Sequence, residues 1–142
     1  MIARSQLQEL KEIVRNSGLR ATPSRIAVLE LLRSLDHPVS HAEVAAHLSS
    51  RDWDPATLYR NLTDFVTAGL ARRSDVGDHI WRFELVREGH DAATHPHFVC
   101  TGCGAVECLP KAELVLSRAS TPKSVRQRKI EVQVRGLCDA CL

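Results

Sequence analysis

Aromatic residues are scarce in this chain, at 4% of the total, so no large ring-packed core is available to hold a small domain together. Long hydrophobic runs are absent too. None approaches the roughly 20 residues of a membrane-spanning helix. The opening stretch MIARSQLQELKEIVRNSG carries charges throughout and lacks the apolar centre of a secretory leader, so a cytoplasmic location is expected. Neither sign of charge dominates. A formal net charge of +2 does not announce a nucleic-acid partner, and any such partner must be argued from where the charges fall. Arg15, Arg20, Arg25, Arg33, Arg51, Arg60, Arg72 and Arg73 all lie in the first half or just past it. By itself that pattern describes solvated helix faces.

What is present in quantity is cysteine. Five cysteines in a chain expected to sit in a reducing compartment point to metal binding before disulfides. The length, 142 residues, suits one ordinary domain or two small ones. At 25% charged and 44% hydrophobic residues, the composition is that of a soluble globular protein.

The first half reads as a run of short helices followed by a hairpin. Leu7, Leu10 and Val14 recur at helical spacing, and Ser17-Gly18 ends the run. Thr22-Pro23 supplies an N-cap with proline at the first helical position. Ile26, Leu29 and Leu32 form the apolar face of that second helix. Ser40-His41-Ala42-Glu43 is a capping box that starts a third. Asp54-Pro55 starts a fourth, with Leu58, Leu62 and Phe65 as its inner stripe and Gly69 as its stop. LARRS and HIWRFEL then read as two strands around Val76-Gly77-Asp78, with Trp81, Phe83 and Leu85 on one face. Helix, tight turn, helix and hairpin make a winged helix-turn-helix. The fourth helix is the reading candidate: its outer side is expected to carry Thr57, Tyr59, Arg60, Asn61 and Thr63. Arg pairs with guanine edges and Asn with adenine, while Tyr and Thr hold phosphates.

In the second half, Cys100-x-x-Cys103 and Cys138-x-x-Cys141 are two knuckles that together offer zinc a tetrahedral shell of four thiolates. A redox pair or buried thiols are the alternatives, but a redox C-x-x-C needs no second copy. This half is small and aromatic-poor, and a metal can supply the folding energy that its core lacks. Between the knuckles the pattern predicts a strand over 105–109, a helix over 111–119 and a strand over 129–135. In the last, Ile130, Val132 and Val134 share a side that strand pairing across a dimer would cover.

Taken in order, "GLRATPSRIAVLELL", "PATLYRNL", "FEL", H-x-H-x-x-C-x-x-C-G and the terminal G-x-C-x-x-C resemble the ferric uptake regulator family over nearly the whole chain. The resemblance implies an α+β protein: an N-terminal winged-helix DNA-binding domain, 1–85, and a small C-terminal α/β dimerisation domain with a four-cysteine zinc site, 86–142. It implies a cytoplasmic homodimer that binds palindromic operator DNA, most often as a repressor, when a regulatory metal occupies an interdomain site. There is no membrane partner, no small-molecule substrate and no enzymatic activity in that picture. Cys100, Cys103, Cys138 and Cys141 match the structural zinc ligands. His95, His97 and Glu84 match the ligands of a second, regulatory divalent metal: Zn2+, Fe2+ or Mn2+. Tyr59 and Arg60 match the DNA-contacting helix, and Arg20 matches a basic position near the minor groove.

Three departures matter. The family's linker histidine falls on Pro38, leaving His37 or His41 to substitute, with His37 preferred. The carboxylate expected after the first knuckle is Cys108, the odd cysteine. It is either a small buried hydrophobe, a redox-sensitive thiol, or a ligand that softens the site toward zinc or copper. Positions of a third site read Thr94, Pro96 and Ile130, so two metals per subunit are expected. A peroxide- or thiol-sensing member of the same family is the nearest alternative. A zinc-stabilised interaction module without a sensor metal, and a zinc hydrolase built on Glu84, His95 and His97, are more remote.

Overall fold

The computed structural model describes residues 3–86, 96–109, 112, 121–127 and 130–142. The chain divides into two compact units, Met1–Val86 and Arg87–Leu142. Each is built from the local signals in its own sequence.

The first unit contains α1 (Arg4–Asn16), α2 (Pro23–Ser34), β1 (Val39–Ser40), α3 (His41–His47), α4 (Pro55–Thr67), β2 (Ala71–Asp75) and β3 (Trp81–Leu85). Three helices start on side-chain caps. Thr22 Oγ1 accepts from Arg25 N–H at 3.3 Å. Ser40 Oγ accepts from Glu43 N–H at 3.2 Å while Glu43 Oε2 accepts from Ser40 N–H at 2.9 Å. Asp54 Oδ1 accepts from Ala56 N–H at 2.9 Å. Each cap satisfies an amide that the helix cannot, and each is worth about 1 kcal/mol. Gly69, at φ +80°, turns the chain out of α4 in a conformation that L side chains rarely adopt.

β2 and β3 form the antiparallel wing, with Arg73 opposite Phe83. The two-residue β1 adds to the other edge of β3, with Val39 opposite Phe83, giving the order β1-β3-β2. One apolar core joins Leu10 and Val14 of α1, Ile26, Val28, Leu29 and Leu32 of α2, Val44 of α3, Leu58, Leu62 and Phe65 of α4, and Val39, Ala71 and Phe83 of the sheet. α4 is thus fixed by its inner stripe.

The hairpin departs from expectation at Trp81. It alternates with Phe83, yet Phe83 is fully buried and Trp81 is 44% exposed. β1 pairs only with Arg82 and Phe83, so no strand flanks Trp81 on that edge. Its ring instead carries the Arg73 guanidinium at 4.4 Å from the centroid, a cation–π contact at the surface.

The second unit contains β4 (His97–Cys100), β5 (Val106–Cys108), α5 (Lys123–Arg126) and β6 (Gln133–Gly136). β4 is central, antiparallel to β5 and parallel to β6. A parallel neighbour requires a crossover rather than a hairpin, and the chain passes through β5 and α5 between β4 and β6. The last strand is shorter than its alternation predicts, and Val134 is left exposed. The helix expected over 111–119 lies outside the described residues but for Ala112.

Truncating Phe83 to alanine should lower unfolding free energy by about 3–5 kcal/mol, whereas Trp81→Ala should cost no more than about 1 kcal/mol. Urea denaturation of the two variants side by side checks this. Equal losses would mean that Trp81 packs into the core after all.

Candidate metal centres and DNA-reading face

Parallel pairing of β4 and β6 places Cys100 opposite Gly136, and Thr101 N–H donates to Gly136 O at 2.8 Å. Both knuckles therefore leave the sheet at the same end. Cys100, Cys103, Cys138 and Cys141 bring their sulfurs within 4.8 Å of one another. Cys103 and Cys138 Sγ are 3.8 Å apart. Two thiolates on one tetrahedral zinc, with Zn–S near 2.3 Å, stand about 3.8 Å apart. The donor set fits that ion in both chemistry and spacing.

The surrounding backbone prepares the site. Amides of Cys103, Cys138 and Gly102 donate to Cys100 Sγ at 3.4, 3.3 and 3.3 Å. Those hydrogen bonds, Cys103 and Cys138 foremost, lower the Cys100 pKa from 9.0 to about 6, against the opposing effect of burial. Cys141 is pushed up to about 12 by side-chain hydrogen bonds with Cys138, Cys103 and Cys100. One thiolate forms readily here, and the last does not form without a cation to offset it. Gly102 is packed close: a Cβ there would meet Cys141 Cβ and Sγ at 3.2 Å and Leu137 Cδ2 at 3.3 Å.

A second donor group lies at the other end of β4. The antiparallel register sets His97 opposite Cys108 and Phe98 opposite Glu107. His97 is 1% exposed, and its ring nitrogen and the Cys108 sulfur lie within 4.8 Å. Cys108 is half-buried while Glu107 is exposed, as alternation requires. His95 lies outside the described residues.

In the first unit, Glu84 stands on β3 opposite Arg72, and its Oε1 is 3.2 Å from Arg72 Nε, with both side chains largely buried. His37 follows α2, half-buried, with Nδ1 at 3.1 Å from Asp36 Oδ1. His41 has a different job: its Nε2 donates to Pro55 O at 2.7 Å, and its ring meets Tyr59 edge-on at 5.3 Å. It ties α3 to the start of the reading helix.

On α4, Tyr59 is 41% exposed and Arg60 is exposed, with Thr57 half-buried. Arg20 is exposed in the loop ahead of α2. Asn61 requires a correction. It is 5% exposed, and its Nδ2 donates to Ser24 Oγ at 3.0 Å. Three residues beyond Leu58 and four before Phe65, it sits on the inner stripe, where its amide is held by α2 and is not offered to a base edge. The contacts from Ser24 to Asn61 and from Arg25 to Asp64, the latter at 2.8 Å, join residues 37 and 39 positions apart. No local pattern could have announced them.

Zinc binding by four thiolates displaces the protons they carry, so zinc loading of the metal-free chain should release protons in a number that falls as the pH rises. Calorimetry in buffers of different ionisation enthalpy measures that number. Zinc affinity should weaken as the pH falls, because protons compete for all four thiolates, and more steeply below about 6, where Cys100 of the metal-free chain also takes up its proton. A zinc affinity whose pH dependence does not steepen below that value would remove Cys100 from the shell.

The ferric uptake regulator family model matches residues 16–135. The peroxide operon regulator of Bacillus subtilis is 28% identical over 145 residues, covering 99% of this chain and 96% of its own length. The peroxide-responsive repressor PerR of Staphylococcus saprophyticus is 32% identical over 143 residues, covering 96% and 91%. The Vibrio cholerae ferric uptake regulator superposes with a TM-score of 0.65 at 24% identity, over 90% of this chain and 98% of that one, a likeness of fold. The chain belongs to the ferric uptake regulator family of metal-responsive transcriptional regulators, and it is not an enzyme.

Proposed function

We propose that this chain acts as a homodimeric repressor that reads palindromic operator DNA with α4 when a divalent metal occupies a regulatory site separate from a structural zinc site. The observation that carries the two-site reading is the pairing of buried His97 with Cys108 at one end of β4 while the four thiolates gather at the other. Three residues of extended chain separate the ends by about 10 Å, too far for one ion to use both sets.

Cys100, Cys103, Cys138 and Cys141 would hold the structural zinc, which supplies folding energy to the second unit. Glu84, His95 and His97 would hold the regulatory metal, with His37 and Cys108 as the further candidates. Imidazole and carboxylate donors accept Zn2+, Fe2+ or Mn2+. Ligand binding shifts the protein toward its DNA-competent state only by its differential affinity for that state, and a few kcal/mol suffice.

Tyr59, Arg60 and Thr57 would meet the major groove, with Arg20 near the minor groove. Exposed Val134 on β6 supplies apolar surface for a second copy. Two-fold symmetry then sets the half-sites about one helical turn, or a multiple, apart. The names of the Bacillus and Staphylococcus relatives favour a second reading of the signal, in which peroxide inactivates the metal-loaded form.

Replacing Arg60 by alanine should cost about 1–3 kcal/mol of operator affinity and relax sequence preference at one position per half-site. Unchanged affinity and preference in a fluorescence-anisotropy titration would remove α4 as the reading element. His97→Ala should keep the chelator-resistant zinc but lose the second metal, and operator affinity should fall at least about tenfold with it. Elemental analysis paired with DNA binding tests this. A chain that holds only the resistant zinc, and binds operator regardless of added metal, has no regulatory site. Loss of binding on brief treatment with dilute hydrogen peroxide would select the oxidant reading.

A further inference from the structure

We infer that Cys108 is a metal ligand and makes the regulatory site selective for a thiophilic divalent ion, zinc, over iron(II) and manganese(II). The inference rests on the reading of His97 as a regulatory ligand and specifies which ion that site takes.

The geometry is cross-strand. His97 and Cys108 are directly opposed in the β4–β5 ladder, so their side chains rise on the same face of the sheet. A ring nitrogen and the thiol sulfur already lie within 4.8 Å. On one tetrahedral zinc, nitrogen at about 2.0–2.1 Å and sulfur at about 2.3 Å stand about 3.6 Å apart, within reach of small side-chain rotations. Backbone pairing holds both donors: Leu109 N–H donates to Pro96 O at 2.8 Å, and His97 N–H to Val132 O at 3.0 Å.

The adjacent carboxylate is not a substitute. Glu107 is opposed to Phe98 and exposed, and only a one-residue slip of β5 would bring it to the His97 face. That slip is opposed by Val106, which is buried opposite Val99. Position 108 therefore supplies sulfur where an oxygen donor was the alternative. Thiolate with imidazole suits zinc, whereas manganese prefers carboxylate, carbonyl and water oxygens. Iron(II) loses ground for a second reason, because it stands below zinc in intrinsic affinity for such donors.

The test uses the full-length chain with zinc in its four-cysteine site and one further equivalent of Co2+ as the spectroscopic probe. A near-ultraviolet sulfur-to-cobalt charge-transfer band is expected, with zinc content unchanged. The band should vanish in Cys108→Ser and Cys108→Asp while equilibrium dialysis still finds bound Co2+ in the Asp variant. That variant should also lose at least about tenfold of the zinc-over-manganese preference. Co2+ held by the wild-type chain without the band, a band that survives Cys108→Ser, or an unchanged preference in Cys108→Asp each overturns the assignment and leaves the regulatory site standing. Failure of the wild-type chain to hold any second Co2+ overturns the regulatory site itself, and the assignment with it.

Discussion

Four cysteine sulfurs within 4.8 Å of one another cannot all be thiolates unless something positive lies among them. That electrostatic constraint organises the second unit. The backbone helps with the first charge by aiming three amides at Cys100, and the remaining sulfurs raise the cost of the last, at Cys141. The unit's sequence has one aromatic residue, Phe98, and its sheet has three short strands among the described residues. Cation binding is then a folding term as well as a ligand event. The strand order follows from the same need: β4 and β6 must run parallel for two knuckles so far apart in sequence to leave one end of the sheet together.

The first unit solves a different problem by ordinary means. Its helices are short, so propensity alone would not hold them. Caps at Thr22, Ser40 and Asp54 set where they begin, and a shared core fixes how they pack. α4, the proposed reading helix, is held at three places: its inner stripe, the Asn61–Ser24 hydrogen bond, and the His41 contacts at its first turn. Tyr59 and Arg60 are thereby displayed on a rigid element, and a base-reading side chain needs that to discriminate sequence.

On the proposed reading, β4 carries donors for two chemically distinct sites at its two ends, imidazole at His97 and thiolate at Cys100. A four-residue strand serves this purpose because extended chain separates the donors by about 10 Å while one ladder of hydrogen bonds positions both. The proposed role of Cys108 extends the logic to metal choice, since the neighbouring strand delivers its side chain to the His97 face by register alone.

Much of this was legible without coordinates. Cap and stop residues marked the helices of the first unit, because those signals act over three or four residues. The C-x-x-C pairs announced a metal site, because that spacing suits a tight turn around one ion. What the sequence could not decide were contacts set by packing and register. Asn61 reads as an outward polar residue until Ser24, 37 positions away, claims its amide. Alternation puts Trp81 on the face of Phe83, but burial of that face stops at Phe83 and leaves Trp81 exposed. The pairing of His97 with Cys108 depends on which residues of β4 and β5 face each other, and a slip of one would have exchanged Cys108 for Glu107. Local chemistry determined which residues start helices and bind metal. Tertiary structure alone decided which side chains share a face, because strand register and helix packing are long-range choices that burial settles.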